Sequence, residues 1–370
     1  SEAVARVAYE SGGVKFLRES FVSLADDCIV IRLRASKPGA LSFSMSFDSI
    51  QEKHEVFTDG KNRLALSGSG GNRGGLEGKV NFLCIADVKI SGGKKTAENG
   101  KIAVENATEA VVFVSVATNF KNYRDVSGDE AKKARSILDA AMLKPYDRLL
   151  ADHVALYKKY FDRVSLDLGE GKNRAERENT DDRVKGFAES DDPNLAELLF
   201  QFGRYLLISS SQPGTQAATL QGIWNEVLGP PWGSKYTVNA NATMNYLPAE
   251  STNLAEMHEP FVDLIMDVSE SGREAAGKLY KARGWCLHHN TDLWRANGVF
   301  DDPHSGQWIT ANAWLCSHLW NKYLYGGDRE YLKRVYPAIK GAAEFFADML
   351  VEQHKYKLIV TEPSASTENA

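Results

Sequence analysis

A multidomain α and β fold, an antiparallel β region followed by a helical one, is predicted by three observations. The chain has 370 residues, more than one ordinary domain of roughly 100–200 residues holds. From Ala3 to about Val116 apolar residues alternate with polar ones, the period of a half-buried strand. Beyond Asp129 the period becomes that of an amphipathic helix.

In the first part, Cys28-Ile-Val-Ile-Arg-Leu-Arg34 and Leu41-Ser-Phe-Ser-Met-Ser-Phe47 read as strands separated by Gly-rich turns. The segment Ser67-Gly-Ser-Gly-Gly-Asn-Arg-Gly-Gly75 has the glycine content of a phosphate loop but neither the Lys-Ser/Thr ending nor a following helix, so it reads as a long turn. Glu130–Met142 and Tyr146–Phe161 carry helical patterns. The charged stretch Gly169–Asp192 reads as an exposed connection, and Asp191-Asp192-Pro193 is a start signal for a helix over Leu195–Ser211. Further helices are expected at about Leu254–Arg283, Thr310–Tyr325 and Arg329–Glu352.

Between these helices run two long, polar, aromatic-rich loops, Pro213–Ala249 and Gly284–Gln307. Their length does not suit the hairpins of a four-helix bundle, whereas helical pairs wrapped around an axis with the loops on one rim accommodate them. Long loops on sturdy helices are where function concentrates.

Composition narrows the partners. A net charge of −5 and an isoelectric point near 6.0 offer no basic field for a phosphate backbone, so nucleic acid is not an expected ligand. No run approaches the ~20 apolar residues of a membrane helix, and membrane insertion is not expected. The opening residues read as a strand rather than a signal peptide. Cys28, Cys84, Cys286 and Cys316 are widely spaced without a CxxC pair, and they read as small buried apolar residues. Neither a metal nor a cofactor is expected.

The chemistry-bearing residues crowd into the long loops. Gln221-Gly-Ile-Trp-Asn225 and Pro230-Pro-Trp-Gly-Ser-Lys-Tyr-Thr-Val-Asn-Ala-Asn-Ala-Thr-Met-Asn-Tyr246 mix aromatic rings with amides. An aromatic face such as that of Trp232 packs on the apolar face of a pyranose while amides and carboxylates bind its hydroxyls. The same composition also suits a core loop with capped turns. Asn239 and Asn241 alternate, which in an extended segment sends both side chains to one side. Together they could hold a water, although an amide is no base and a carboxylate must take the proton. In His288-His-Asn-Thr-Asp292 adjacent histidines diverge and lack the i, i+4 spacing of metal ligands. They read as hydrogen-bonding groups for sugar hydroxyls, with a satisfied buried histidine as the alternative. Glu362 and Glu368 lie in a Pro/Ser-rich tail, where either could donate a proton or simply be solvated.

These segments, Gln221-Gly-Ile-Trp-Asn225, Pro230-Pro-Trp-Gly-Ser234, Asn239-x-Asn241, Met244-Asn-Tyr246, His288-His-Asn-Thr-Asp292 and Pro363-Ser-x-Ser-x-Glu-Asn369, resemble glycoside hydrolase family 95 in order and spacing. The resemblance implies an N-terminal β-sandwich over residues 1–120, entered part-way, a helical linker and connection over 121–192, and the first part of an (α/α)6 catalytic barrel over 193–370. It implies an exo-acting inverting hydrolase that releases terminal α-L-fucose, or the related α-L-galactose, from an oligosaccharide or polysaccharide. A secreted or periplasmic location follows from the same resemblance.

By the resemblance Glu368 is the general acid, and Asn239 with Asn241 positions the attacking water. The aspartate that polarises this water in the family lies beyond residue 370, so the chain by itself is expected to be a fragment, inactive or only sugar-binding. Thr237, Trp232, His288, His289, Asn290, Asp292 and Trp308 form the expected substrate-binding set. Where family members often carry histidine, this chain has Thr237. L-Galactose differs from L-fucose by a hydroxyl at carbon 6, and a small hydroxylated side chain leaves it both space and a partner.

Overall fold

The computed structural model describes residues 1–370 except 73, 170, 172–178, 363, 364, 366 and 368–370. The chain divides into two compact units, Ser1–Lys159 and Tyr160–Ala370. In the first, the alternating pattern becomes strands β1 (Ala5–Ser11), β2 (Val14–Ser23), β3 (Cys28–Ala35), β4 (Leu41–Met45), β5 (Lys53–Asp59), β6 (Arg63–Ser69), β7 (Asn81–Ser91), β8 (Lys94–Glu98), β9 (Lys101–Ala107) and β10 (Glu109–Thr118). Among the described residues these make a seven-stranded sheet in the order β1-β2-β3-β10-β7-β6-β5 and a three-stranded sheet β4-β9-β8. Every pairing is antiparallel.

Successive side chains on a strand leave opposite faces, and both faces of the large sheet are covered. Val111 and Phe113 of β10 join Val30, Ile85 and Leu138 in one core. Their neighbours Ala110 and Val112 join Ile102 and Val104 of the small sheet in the other. The result is a β-sandwich with a helix on its outer face. That helix, α1 (Glu130–Leu143), starts where the Asp129 carboxylate accepts the Lys132 N–H at 2.8 Å. It buries Ala134, Leu138 and Ala141, spaced by one helical turn each. After it comes α2 (Tyr146–Phe161).

In the second unit, α3 (Thr180–Gly186) forms inside the stretch expected to be a bare connection. Its Arg183 pairs with Asp192 at 2.8 Å, holding that carboxyl below its ordinary range. Asp192 in turn caps α4 (Pro193–Ser210) by accepting the Leu195 N–H, so the charges of this stretch serve a helix start. Within α4 the buried Arg204 guanidinium donates to the carbonyls of Tyr160 at 2.9 Å, Phe161 at 2.6 Å and Thr252 at 3.3 Å. This ties the start of the unit to the segment ahead of its central helices.

The remaining elements are β11 (Tyr236–Thr237), α5 (Asn241–Tyr246), α6 (Pro248–Ser251), α7 (Glu259–Ala275), β12 (Asn290–Thr291), α8 (Pro303–Gly306), α9 (Ala311–Gly326), α10 (Arg329–Met349), β13 (Leu350–Gln353) and β14 (Leu358–Thr361). The expected helix over Leu254–Arg283 is shorter, because a 3-10 turn at Ala255–His258 precedes α7 and a wide turn at Ala276–Tyr280 ends it. Helix α10 stops before Glu352 because Leu350–Gln353 pairs with Leu358–Thr361 as a hairpin. Helices α9 and α10 form an αα pair in which Asp328 caps α10 and the Tyr331 hydroxyl donates to the Leu319 carbonyl at 3.2 Å.

One loop is threaded through this helical core. At Gly284, φ is +67° and a Cβ would stand 1.8 Å from the Gly341 carbonyl oxygen, so only glycine fits. The next residue, Trp285, is buried, and its indole N–H donates to the Ala338 carbonyl on α10 at 2.8 Å. Asn312 on α9 donates to the Trp285 carbonyl at 2.7 Å. Residues 285–291 are consequently all buried, which fixes the direction of the side chains that follow.

Candidate active site

The two long loops meet through a short antiparallel ribbon. Tyr236 pairs with Thr291 and Thr237 with Asn290, and the Val238 N–H donates to the His289 carbonyl at 2.8 Å. Beside this ribbon lies a cavity of about 370 Å³ lined by Leu220, Trp232, Thr237, Asn239, Asn241, His289, Asn290, Asp301, Asp302 and Thr367. That volume falls at the lower end of the ~300–1,000 Å³ typical of small-molecule sites.

Its wall is polar and unsatisfied. Thr237 Oγ1, Asn239 Oδ1, His289 Nδ1 and both amide atoms of Asn290 are buried without a hydrogen-bond partner among the described residues. Buried polar atoms are nearly always paired, so such a cluster around one cavity makes it the candidate site. Among the described lining residues none is Lys or Arg, and two are Asp.

Asn239 and Asn241 both reach the cavity, but not as alternating residues of one strand. The extended segment ends at Thr237, Ala240 turns the chain at φ −152°, ψ −56°, and Asn241 is the first residue of α5. Trp232 reaches it from an unusual turn, in which Trp232, Gly233 and Ser234 have φ of 55°, 64° and 48°. Ser234 Oγ lies 2.9 Å from Thr219 Oγ1, and the Leu220 N–H donates to the Lys235 carbonyl at 3.2 Å, which hold the turn closed. Trp232 is 57% exposed.

Of the two adjacent histidines, only His289 lines the cavity. His288 is fully buried, with Nδ1 2.9 Å from the Asn297 carbonyl and Nε2 2.7 Å from the Tyr280 hydroxyl. The carbonyl only accepts, so Nδ1 carries the proton and Nε2 accepts from Tyr280. Burial lowers the His288 pKa and raises that of Tyr280 to about 12. Asp292 also stands off the cavity, its Oδ1 accepting the N–H groups of Trp294 at 2.9 Å and Ala296 at 3.1 Å in a turn. Trp308 is packed edge-on against Trp314, with centroids 6.4 Å apart, and is not a lining residue. Glu368 lies outside the described residues, while Thr367 lines the cavity and Glu362 is exposed away from it.

The structure adds Leu220, Asp301, Asp302 and Thr367, which the sequence reading passed over. A signal was present in Asp301-Asp302-Pro303, an acidic pair ahead of a helix-starting proline. Asp301 lies in the left-handed region at φ 61°, and its Oδ2 is 3.0 Å from His289 Nε2. No group of three or more His, Cys, Asp or Glu side chains among the described residues is placed to hold a metal. Likewise, none of their helices is long and apolar enough to cross a membrane.

The first unit is thus an antiparallel β-sandwich, and the second carries its polar cavity on the loops between paired helices. A solved structure described as a kojibiose phosphorylase from the human microbiome shares this fold, with TM-score 0.60 at 10% identity over 96% of this chain and 45% of that one. Residues 1–123 match the glycosyl hydrolase family 65 N-terminal domain, and residues 145–370 match the glycosyl hydrolase family 95 catalytic domain. The chain belongs to glycoside hydrolase family 95. It is 37% identical to alpha-L-fucosidase 2 of Arabidopsis thaliana over 99% of its length and 47% of that protein. It is 32% identical to a protein named as an alpha-fucosidase A in Aspergillus niger over 62% of its length and 29% of that protein. The chain thus spans about half the length of its Arabidopsis relative, or less for the fungal one.

Proposed function

We propose that the natural protein carrying this chain is an exo-acting, inverting glycoside hydrolase that releases terminal α-L-fucose from glycans, of the 1,2-α-L-fucosidase type. The observation that carries the reading is the set of unpaired buried polar atoms on Thr237, Asn239, His289 and Asn290 around one cavity, beside the half-exposed Trp232 ring. A small uncharged sugar satisfies those atoms and stacks on that ring. Phosphate finds no lysine or arginine among the described lining residues, which favours water over phosphate as the nucleophile. The names of the two relatives support fucose as the sugar.

In this reading Glu368 protonates the glycosidic oxygen as the bond to carbon 1 breaks. A water held by Asn239 and Asn241 attacks carbon 1 from the opposite face, and a carboxylate accepts its proton. A single displacement turns an α-glycoside into a β-sugar. Proton NMR of the earliest product from an α-1,2-fucosylated glycan is expected to show β-L-fucose first, relaxing later to the anomeric mixture. Early α-L-fucose would refute single displacement, and failure to release fucose from any such glycan would refute the fucosidase assignment.

A second reading, α-L-galactosidase, is favoured by Thr237, a small residue whose unpaired buried hydroxyl sits on the cavity wall. Replacing it by histidine fills the volume a carbon-6 hydroxyl needs. Thr237→His is expected to move the ratio of kcat/KM for α-L-galactoside over α-L-fucoside down by about tenfold or more, the upper end of the net worth of one ordinary hydrogen bond. An unchanged ratio removes Thr237 from specificity.

A further inference from the structure

The His289 ring is held from one side only. Its Nε2 lies 3.0 Å from Oδ2 of Asp301, while its Nδ1 is buried without a partner among the described residues. An ionised carboxylate accepts, so a proton belongs on Nε2, and in the neutral ring Nδ1 then presents a lone pair. The neighbouring His288 carries its proton on the other nitrogen, toward the Asn297 carbonyl. The tautomer at His289 is therefore set by its own partner and not by the dipeptide.

Asp301 is placed for this by a tightly wound loop. A Cβ on Gly306 would stand 2.1 Å from the Phe300 carbonyl oxygen, and the Gly306 N–H closes onto the Asp302 carbonyl at 2.8 Å. Lys235, one residue ahead of β11, sets its ammonium 5.6 Å from the centre of the Phe300 ring. In between, Asp301 holds φ 61°, a backbone region that aspartate enters more readily than most residues.

We infer that Asp301 is a positioning residue that holds His289 in its Nε2–H form, so that Nδ1 accepts a hydrogen bond from a hydroxyl of the bound sugar. Asn239 Oδ1 and Asn290 Oδ1 are further unpaired acceptors on the same wall. An array rich in acceptors selects a ligand that brings its own protons, an uncharged polyol. Asp301 on that wall also disfavours uronic acids and sugar phosphates, whose anionic groups would meet its carboxylate. The inference rests on the proposed sugar-binding reading of the cavity.

The natural protein labelled with 15N-histidine reports each ring tautomer through long-range proton–nitrogen correlations, with His289→Gln assigning the signal. Wild type is expected to show His289 as Nε2–H. Asp301→Gly suits the left-handed backbone and removes the carboxylate, so it should lose that signature and weaken L-fucose or L-galactose binding by at least about tenfold. Asp301→Asn keeps an oxygen that can accept from Nε2 and is expected to retain the signature and affinity within about threefold. An Nδ1–H ring in wild type would overturn the inference, as would Asp301→Gly with an unchanged ring or unchanged affinity. Equal losses in the Gly and Asn variants would overturn it too, since the acceptor would then not be what matters. A wild-type protein with the expected ring but no affinity for either sugar would instead refute the sugar reading of the cavity, leaving the Asp301–His289 coupling in place.

Discussion

Glu368→Gln in the natural protein is expected to lower turnover of fucosylated glycans by about 10²–10⁴-fold, the usual worth of general acid catalysis, while sugar affinity stays within about threefold. The amide keeps the shape of the side chain and its hydrogen-bonding reach, but it has no proton to give. A sugar leaving group is a poor one unless its oxygen is protonated as the bond breaks. Aryl fucosides, which leave as stabilised phenolates, should therefore lose much less than glycans in the same variant. Thr367, the residue before Glu368 in the chain, lines the cavity. Glu362 is exposed and lines none of it, which makes Glu362→Gln the control. Steady-state kinetics on both substrate types, with a separate binding titration, decide the matter. Glycan turnover within about threefold of wild type would take the acid role from Glu368, and a loss confined to Glu362→Gln would move it there.

Asn239→Ala and Asn241→Ala are each expected to lower kcat by about 10²-fold, the scale of misplacing a reacting group by about an ångström, with a smaller change in affinity. A positioned water matters in the transition state more than in the ground state. Asn239 Oδ1 is a buried acceptor with no partner among the described residues, and Asn241 opens α5 at the cavity. The two amides can hold the water from different directions because a turn separates them. Single-turnover kinetics paired with calorimetric titration of L-fucose separate the outcomes. Equal falls in rate and affinity would make the asparagines sugar ligands instead of water-holders.

Much of this fold was legible before any coordinates. The period-2 runs through β3 and β4 and the period-3.6 run through α1 follow from which side chains must be buried. Asp192 announces a helix start because an aspartate there accepts an otherwise orphaned backbone N–H, as Asp129 also does ahead of α1 in the structure. What escaped were elements whose stability is not local. Helix α3 is too short to hold itself, and it is joined to α4 by the Arg183–Asp192 pair. The β13–β14 hairpin interrupts what reads as a continuing helix because pairing across a turn, a non-local contact, outweighs local propensity.

The site divides along the same line. The residue types that a sugar needs, amides, aromatic rings and histidines in two long loops, are properties of the sequence, since hydrogen-bonding capacity and ring area travel with the side chain. Direction does not. His288 and His289 are identical residues in adjacent positions, yet the glycine-tight passage at Gly284 and the anchoring of Trp285 turn one toward Tyr280 and the other toward the cavity. Asp301, twelve positions beyond His289, became its partner only because a wound loop returned it to the ribbon at 3.0 Å. Which polar atoms are left without protein partners is decided by packing, because only the assembled core determines what each buried donor and acceptor can reach.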